Sequence, residues 1–341
     1  MALLFCDGFE NQGTTGPQSK WDSWTYGTSL TTAKARTGSR SCGFDTLTKF
    51  ITNASGSTII IGAAFYQIGQ QCWLGVQKGG AYWPYGQCAV LIGANGQVSA
   101  RFNTWQGALL GTASAIGVVR QNQWNYIEVK IVLSQTVGSF TVKVNGEQVL
   151  SVTGVDNCYL AETTFDAVEL GTGGTNVWTD DFYVCDASGS QNNDFLGEIR
   201  VVSILPVTDA VDAGANADFT CSGGTDHGAL VDEATPDGDT TYVSSSTVGH
   251  YDSWNFGALG YTGTIKGLQL NIIAKKTEAS ARAIIGVTRP TSTNRDHSLT
   301  RYLGMTDYIS FPAVWELNPD DSAAWEVADV DGAEFGVKVT V

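Results

Sequence analysis

Proline is scarce in this chain, 7 residues in 341, histidine is scarcer at 3, and basic residues number 19 against 34 acidic ones. Each shortage excludes something. A formal charge of −15 without a basic cluster leaves nothing to neutralise phosphates, so nucleic acid is not an expected partner. The opening MALLFCDGFE has no basic region and only a short apolar run before its acids. Neither a secretory signal nor a membrane anchor is expected there, and no membrane partner. Catalytic signatures are missing as well. There is no Walker loop, no G-x-G-x-x-G after a strand, no H-E-x-x-H and no G-x-S-x-G elbow. The seven cysteines, Cys6, Cys42, Cys72, Cys88, Cys158, Cys185 and Cys221, are odd in number and lack C-x-x-C spacing. That pattern argues against a zinc or disulfide framework and for thiols made in a reducing compartment.

What is present is β-structure. Forty glycines, short β-branched runs and no sustained helical period predict an all-β chain, long enough at 341 residues for two domains. Trp124 to Val132 places Ile127, Val129 and Ile131 on one face, and Phe140, Val142 and Val144 do the same before a turn at Asn145-Gly146. A second hairpin is expected around Asn95-Gly96. Further strands are predicted at Ala2–Phe9, Ser39–Phe44, Thr58–Phe65 and Asp166–Gly171. In Trp178 to Cys185, strict alternation sets Trp178, Asp180, Phe182 and Val184 against Thr179, Asp181, Tyr183 and Cys185. Turn residues follow, then an extended run from Phe195 to Leu205 that stops at Pro206. Beyond it, Lys266–Ala274, Ala281–Val287, Tyr308–Phe311, Ala323–Val327 and Phe335–Val341 read as strands, with Asp331-Gly332 a turn.

The series Gln123-Trp-Asn-Tyr-Ile-Glu-Val129, Val142-Lys-Val-Asn-Gly146 and Trp178-Thr-Asp-Asp-Phe-Tyr-Val184 resembles the concanavalin A-like, laminin-G-like jelly roll. The continuation Asn192 to Val201, with Val231-Asp-Glu233 and Asp237-Gly-Asp-Thr-Thr-Tyr-Val243, resembles two-domain virion proteins of tailed bacteriophages. The resemblance implies two tandem antiparallel β-sandwiches, residues 1–204 as the concanavalin A-like jelly roll and residues 205–341 as the second sandwich. It also implies a non-enzymatic structural role as capsid decoration or tail-associated protein. The expected partners are other virion proteins and copies of itself, and the expected location is the virion after synthesis in the host cytoplasm. The alternative is a lectin-like module that binds host surface glycan, because this sandwich carries unrelated functions.

Candidate sites follow from residue chemistry. Sandwich glucanases place carboxylates at i, i+2 and i+4 of one strand, and no E-x-D-x-E run exists here. Asp166 and Glu169 are an odd distance apart and belong to opposite faces. His227, His250 and His297 are scattered through the second half and are expected to be hydrogen-bonded or solvated. No catalytic residue is therefore assigned. Tyr82, Trp83, Tyr85 and Trp105, together with Trp73, put large rings in Gly/Pro-rich sequence and are the candidate ligand platform. Asp226, Asp232, Glu233, Asp237 and Asp239 crowd one stretch with the hard oxygen ligands that Ca²⁺ takes, making calcium the candidate ion; no other cofactor is implied. The opening and closing strands of the first domain are expected to pair, bringing Cys6 near Cys185.

The cysteine reading is checked by titrating thiols in freshly purified, denatured protein. Close to seven per chain are expected, and a count consistent with three disulfides would overturn the compartment assignment.

Overall fold

The computed structural model describes residues 2–10, 20–25, 29–43, 46–51, 54–79, 85–159, 161–209, 217–304 and 307–341. They form two compact units, one ending at Val201 and one beginning at Val202. Both are built almost wholly of antiparallel strands. Among the described residues no helix is long and apolar enough to cross a membrane.

The strands of the N-terminal unit are β1 (Leu3–Asp7), β2 (Ser23–Trp24), β3 (Ser29–Thr31), β4 (Ser41–Gly43), β5 (Thr46–Phe50), β6 (Thr58–Gln67), β7 (Cys72–Lys78), β8 (Tyr85–Ile92), β9 (Val98–Phe102), β10 (Leu109–Leu110), β11 (Trp124–Val132), β12 (Gly138–Val144), β13 (Glu147–Val155), β14 (Ala167–Thr172) and β15 (Val177–Asp186). One sheet has eight strands in the order β13-β12-β11-β6-β15-β4-β3, with β1 also on β15; the other has seven, β10-β9-β8-β7-β14-β5-β2. The chain changes sheet between β1 and β2, β2 and β3, β4 and β5, β5 and β6, β6 and β7, β10 and β11, β13 and β14, and β14 and β15. This repeated crossing is what makes the sandwich a jelly roll.

Alternation explains the layering. Ile59, Ile61, Ala63 and Phe65 of β6, with Ile127, Val129 and Ile131 of β11, face Leu74 and Val76 of β7 and Val168 and Leu170 of β14 in one buried cluster. Each of these Ile, Val, Leu and Phe side chains contributes about 1.5–3 kcal/mol by leaving water. The expected hairpin is present between β12 and β13, with Asn145 at φ 51° and Gly146 at φ 83°, the left-handed pair that matches strand twist. β1 pairs with β15 as expected, but Cys6 stands opposite Tyr183 and Cys185 opposite Leu3, so the two cysteines are not cross-strand partners. All seven cysteines are thiols. Burial pushes the Cys6 thiol up to about 12 and those of Cys42, Cys72 and Cys88 upward as well.

Strict alternation in β15 does not survive. Asp180 pairs with Ala64 and Tyr183 with Gly62, so three steps on β15 match two on β6. The extra residue is a bulge, with Asp181 at φ 50°. Trp178 and Asp180 therefore share the outer face with Tyr183 and Cys185, while Phe182 and Val184 turn into the core. The ring of Tyr183 lies against Gly62, where an added Cβ would stand 2.0 Å from Cε1.

The extended run predicted from Phe195 to Leu205 forms no strand. Its first part crosses the outer face as an irregular strap. The Gly197 amide donates to Glu128 Oε1 at 2.8 Å, the Leu196 amide to Tyr183 Oη at 3.2 Å and the Val201 amide to Asp181 Oδ1 at 2.8 Å. Tyr183 Oη in turn donates to Glu128 Oε1 at 2.6 Å. Strap amides find buried side-chain acceptors in place of a neighbouring strand.

The C-terminal unit contains β16 (Pro206–Asp209), β17 (Thr220–Cys221), β18 (Val243–Ser244), β19 (Tyr251–Phe256), β20 (Leu268–Ala274), β21 (Ala283–Arg289), β22 (Arg295–Asp296), β23 (Arg301–Tyr302), β24 (Ile309–Trp315), α1 (Val327–Gly332) and β25 (Glu334–Val339). A six-stranded sheet, β16-β19-β25-β21-β22 with β23 on β21, packs Trp254, Ile284, Phe335, Val337 and Val339 against Ile272, Phe311, Ala313 and Trp315 of the β20–β24 ribbon. The strand predicted at Ala323–Val327 is absent. Ala324 makes one isolated bridge to Leu317, and α1 begins where the Glu326 amide donates to Asp329 Oδ2 at 2.9 Å. Asp331-Gly332 closes that helix and is not a hairpin turn.

Gly62→Ala forces a methyl into the Tyr183 ring and should lower stability by about 1–3 kcal/mol in urea unfolding. The same change in a Tyr183→Leu background should cost less. Equal losses would mean that the ring is not what excludes the side chain.

Candidate functional site

The outer face of the seven-stranded sheet carries a polar and aromatic cluster that strand register assembles. In β7, Leu74 and Val76 point to the core, so Trp73, Gly75 and Gln77 point outward; in β14, Val168 and Leu170 point inward, so Ala167, Glu169 and Gly171 point outward. Register then sets Gly171 opposite Trp73, Glu169 opposite Gly75 and Ala167 opposite Gln77. Trp73 lies flat over Gly171, where a Cβ would meet its ring at 2.0 Å, and Gly75 leaves room beside the Glu169 side chain. Only small residues at these positions let the indole and the carboxylate share the surface.

Glu169 is the centre of the cluster. Trp73 Nε1 donates to its Oε1, and Gln77 Nε2 donates to its Oε2 at 2.5 Å. Burial raises the Glu169 carboxyl above its ordinary value of 4.5, and the bonds from Trp73 and Gln77 offset part of that rise. Gln77 is 7% exposed, and its Oε1 has no hydrogen-bond partner among the described residues.

Trp105 completes the arrangement. After β9 the chain turns tightly, with the Phe102 amide bonded to Ala108 O, the Thr104 amide to Phe102 O and the Gly107 amide to Thr104 O, each at 2.9 Å. Asn103, at φ 65°, starts this turn, and its amide donates to Gln87 O at 2.9 Å. The turn lays Trp105 on Trp73 with ring centroids 4.6 Å apart and planes 21° from parallel. Trp105 is half-buried and Trp73 nearly buried, so the outer ring is the one offered to solvent. A stacked indole beside two oxygen acceptors can hold a flat apolar face and hydrogen-bond the groups around its edge.

Of the ring residues picked out from sequence, Trp105 is therefore in the cluster. Tyr82, Trp83 and the side chain of Tyr85 lie outside the described residues. Sequence reasoning treated Trp73 as one of several rings in a loop-like stretch, whereas it belongs to β7 in the middle of a sheet. Gln77 and Glu169 were missed as a pair. Glu169 had been considered only against Asp166, which lies before β14 and pairs with Lys78 at 3.6 Å.

Glu233 and Asp237 meet at the Thr241 hydroxyl, but the five candidate calcium ligands do not form one cluster. Asp226 Oδ1 accepts the Ala229 amide at 3.1 Å. Glu233 and Asp237 accept the Thr241 hydroxyl at 2.6 and 2.7 Å, and Asp239 is taken by Lys275 at 2.6 Å and Tyr308 Oη at 2.7 Å. Among the described residues no group of three or more His, Cys, Asp or Glu side chains is placed to hold a metal ion. Asp226, Glu233 and Asp237 accept from donors three to eight residues away, as acids in turns ordinarily do, whereas Asp239 is held by Lys275 and Tyr308 from other segments.

The histidines are each bonded. His250 Nδ1 meets Ser245 Oγ at 2.9 Å, and buried His297 meets Val314 O at 3.1 Å while packing edge-on against Trp315. His227 Nδ1 faces Asp252 Oδ2 at 2.8 Å, and burial pushes the Asp252 carboxyl up to about 6.

No family model matches the sequence. No curated protein matches it either. Several solved structures are similar. A Bacillus subtilis protein of unknown function with a galectin-like fold is 10% identical, with a TM-score of 0.35 over 54% of this chain and 96% of that one. A carbohydrate esterase of the Shiga toxin-encoding bacteriophage phi24B is 12% identical, with a TM-score of 0.33 over 53% and 99%. The carbohydrate-binding module CBM66 of Bacillus subtilis is 13% identical, with a TM-score of 0.30 over 49% and 97%. At these values the likeness concerns the fold and carries no ligand over to this chain.

Proposed function

We propose that the N-terminal unit is a carbohydrate-binding module, and that it works by recognition without turnover. The observation that carries this reading is the stacked Trp105–Trp73 pair beside Glu169 and the unpartnered Gln77 Oε1. Sugar rings offer an apolar C–H face to an indole and hydroxyls to acceptors at its edge, and this surface supplies both. The absence of turnover is supported by the carboxylate's surroundings. Retaining hydrolysis needs a second carboxyl about 5–5.5 Å away. The outward residues in register around Glu169 are Thr46, Thr48, Ala167, Gly171, Trp73, Gly75 and Gln77, none of them acidic.

The bacteriophage assignment, with virion proteins and further copies of the chain as partners, the particle as location and the host cytoplasm as site of synthesis, rests on the sequence resemblance through Asn192–Val201 and Val231–Val243. It is compatible with glycan recognition, since many copies on a particle add weak contacts through local concentration. Density-purified particles analysed by mass spectrometry should contain the protein. Its confinement to infected-cell lysate would remove the virion reading and leave the glycan reading untouched.

Glycan binding is tested by array screening followed by titration of intrinsic tryptophan fluorescence. Trp105→Ala should weaken binding by about tenfold or more, since a stacked ring at a site centre is worth at least ~1.4 kcal/mol. Affinity should also fall as pH drops through the raised Glu169 carboxyl, above the ordinary 4.5, because protonation removes an acceptor. The other charged groups near this face are Arg101 and the Lys78–Asp166 pair. Stability moves the opposite way. Glu169 and, in the other unit, Asp252 at about 6 bind protons in the folded state at pH values where the unfolded chain has lost them. Their contribution is therefore greatest at low pH and declines as pH rises through the folded values. Binding that weakens as the pH is lowered from 8 to the ordinary carboxyl value of 4.5 is the expected result; unchanged binding down to that pH would remove Glu169 from the site.

A further inference from the structure

With Glu169 ionised, the amide of Gln77 can be oriented in only one way. An ionised carboxylate accepts hydrogen bonds and has none to give, so the Gln77 atom 2.5 Å from Glu169 Oε2 must be the N–H group. Oε1 is then the atom left buried without a donor among the described residues. The Trp73 indole N–H is likewise committed to Glu169. The Trp73 N–H and the Gln77 N–H turned to Glu169 are thus used internally, and the acceptors open to a ligand are Gln77 Oε1 and the second lone pair of each Glu169 oxygen. A buried acceptor with no donor is unfavourable until a ligand supplies one.

Resting on the carbohydrate reading, we infer that this cluster selects neutral saccharides through hydroxyl donors, with neighbouring hydroxyls of one ring giving their protons to Gln77 Oε1 and a Glu169 oxygen, and that it discriminates against sugars bearing carboxylates. A sugar carboxylate in that place would lie against the Glu169 charge and the Gln77 carbonyl oxygen, and the chain's formal charge of −15 adds repulsion at longer range. Arg101 shares the cross-sheet row of Glu169, with Gly75 and Ala89 between. It lies three strand spacings away, about 14 Å. Its Nε donates to Ser99 Oγ at 3.1 Å and its Nη1 to Gly107 O at 3.4 Å. A single ring over Glu169 and Gln77 therefore meets acceptors and not this cation. Gln77 is the selectivity residue, because Glu169 engages its N–H and leaves Oε1 without a donor among the described residues.

The test is isothermal titration of the full chain at pH 7.5 with lactose, cellotriose, maltotriose and mannotriose on one side and 3′-sialyllactose and trigalacturonate on the other. At least one neutral sugar should bind about tenfold or more tighter than either acidic one. Deoxy and deoxyfluoro methyl glycosides of the same hexoses then report the direction of each hydrogen bond. Fluorine accepts but does not donate, so at the contacted hydroxyls the fluoro and deoxy sugars should lose affinity equally. Gln77→Met should narrow the gap between neutral and acidic sugars, and the fluoro series on the unaltered protein stands even if that variant folds poorly. Acidic sugars that bind as tightly as neutral ones, in a manner abolished by Trp105→Ala, would overturn the selectivity and leave the carbohydrate reading standing. Fluoro sugars that keep affinity at every position would do the same. Binding of no sugar in either set would overturn both.

Discussion

The bulge at Asp180–Asp181 and the guanidinium that neutralises it hold the N-terminal unit together. β15 is flanked by β6 and by β1 and β4, so its register determines which residues of the eight-stranded sheet enter the core. Asp180 accepts the amides of Arg36, Thr37 and Asp181 at 2.8, 3.2 and 2.8 Å. Arg36 Nη1 reaches Asp181 Oδ2 at 2.5 Å and Ile199 O at 2.8 Å, over the ring of Tyr126. Burial, together with the neighbouring Asp181 charge, raises the Asp180 carboxyl above the usual carboxylate range. Two adjacent buried acids are tolerable only because backbone amides and one arginine surround them, and an unpaired survivor would be strongly destabilising.

The same device recurs at the edges of the core. Asp7 accepts Lys20 Nζ at 3.0 Å, Trp21 Nε1 at 2.8 Å and the Phe9 amide at 2.9 Å, fixing Trp21 among Phe5, Phe9 and Phe182. Glu128 receives Tyr183 and the strap. In each case a buried carboxylate gathers donors from segments remote in sequence. Glu169 belongs to this group by chemistry but differs in position, since its partners come from the neighbouring strand and one of them is left with an acceptor unmatched. Both oxygens of Asp7, Asp180 and Asp181 accept hydrogen bonds, whereas at the candidate site Gln77 Oε1 has no donor among the described residues.

Legibility from sequence followed the locality of the forces. β11 was read residue for residue from Trp124 to Val132, because one face is buried and alternation reports that directly. The turn at Asn145-Gly146 was equally plain. β7 was not, because an inner-sheet strand that carries Trp73, Gly75 and Gln77 outward looks like a turn-rich stretch when the covering partner is unknown. The strap reads as a strand since its β-branched residues satisfy the pattern, while its amides are bonded by Glu128, Tyr183 and Asp181, which lie well upstream. Trp105 was recognisable as a ring in a loop; that it stacks on Trp73 depends on a turn closed by Phe102 and Ala108.

Sequence alone determined the all-β class, most strand cores and the lack of any local catalytic motif, because periodicity, turn residues and spaced motifs act over a few residues. Tertiary structure decided the register slip in β15, the dispersal of the five acids from Asp226 to Asp239, and the meeting of Trp73, Gln77, Glu169 and Trp105. These depend on pairing between strands separated by many tens of residues, and a single-residue change of register reverses the face on which every later side chain stands.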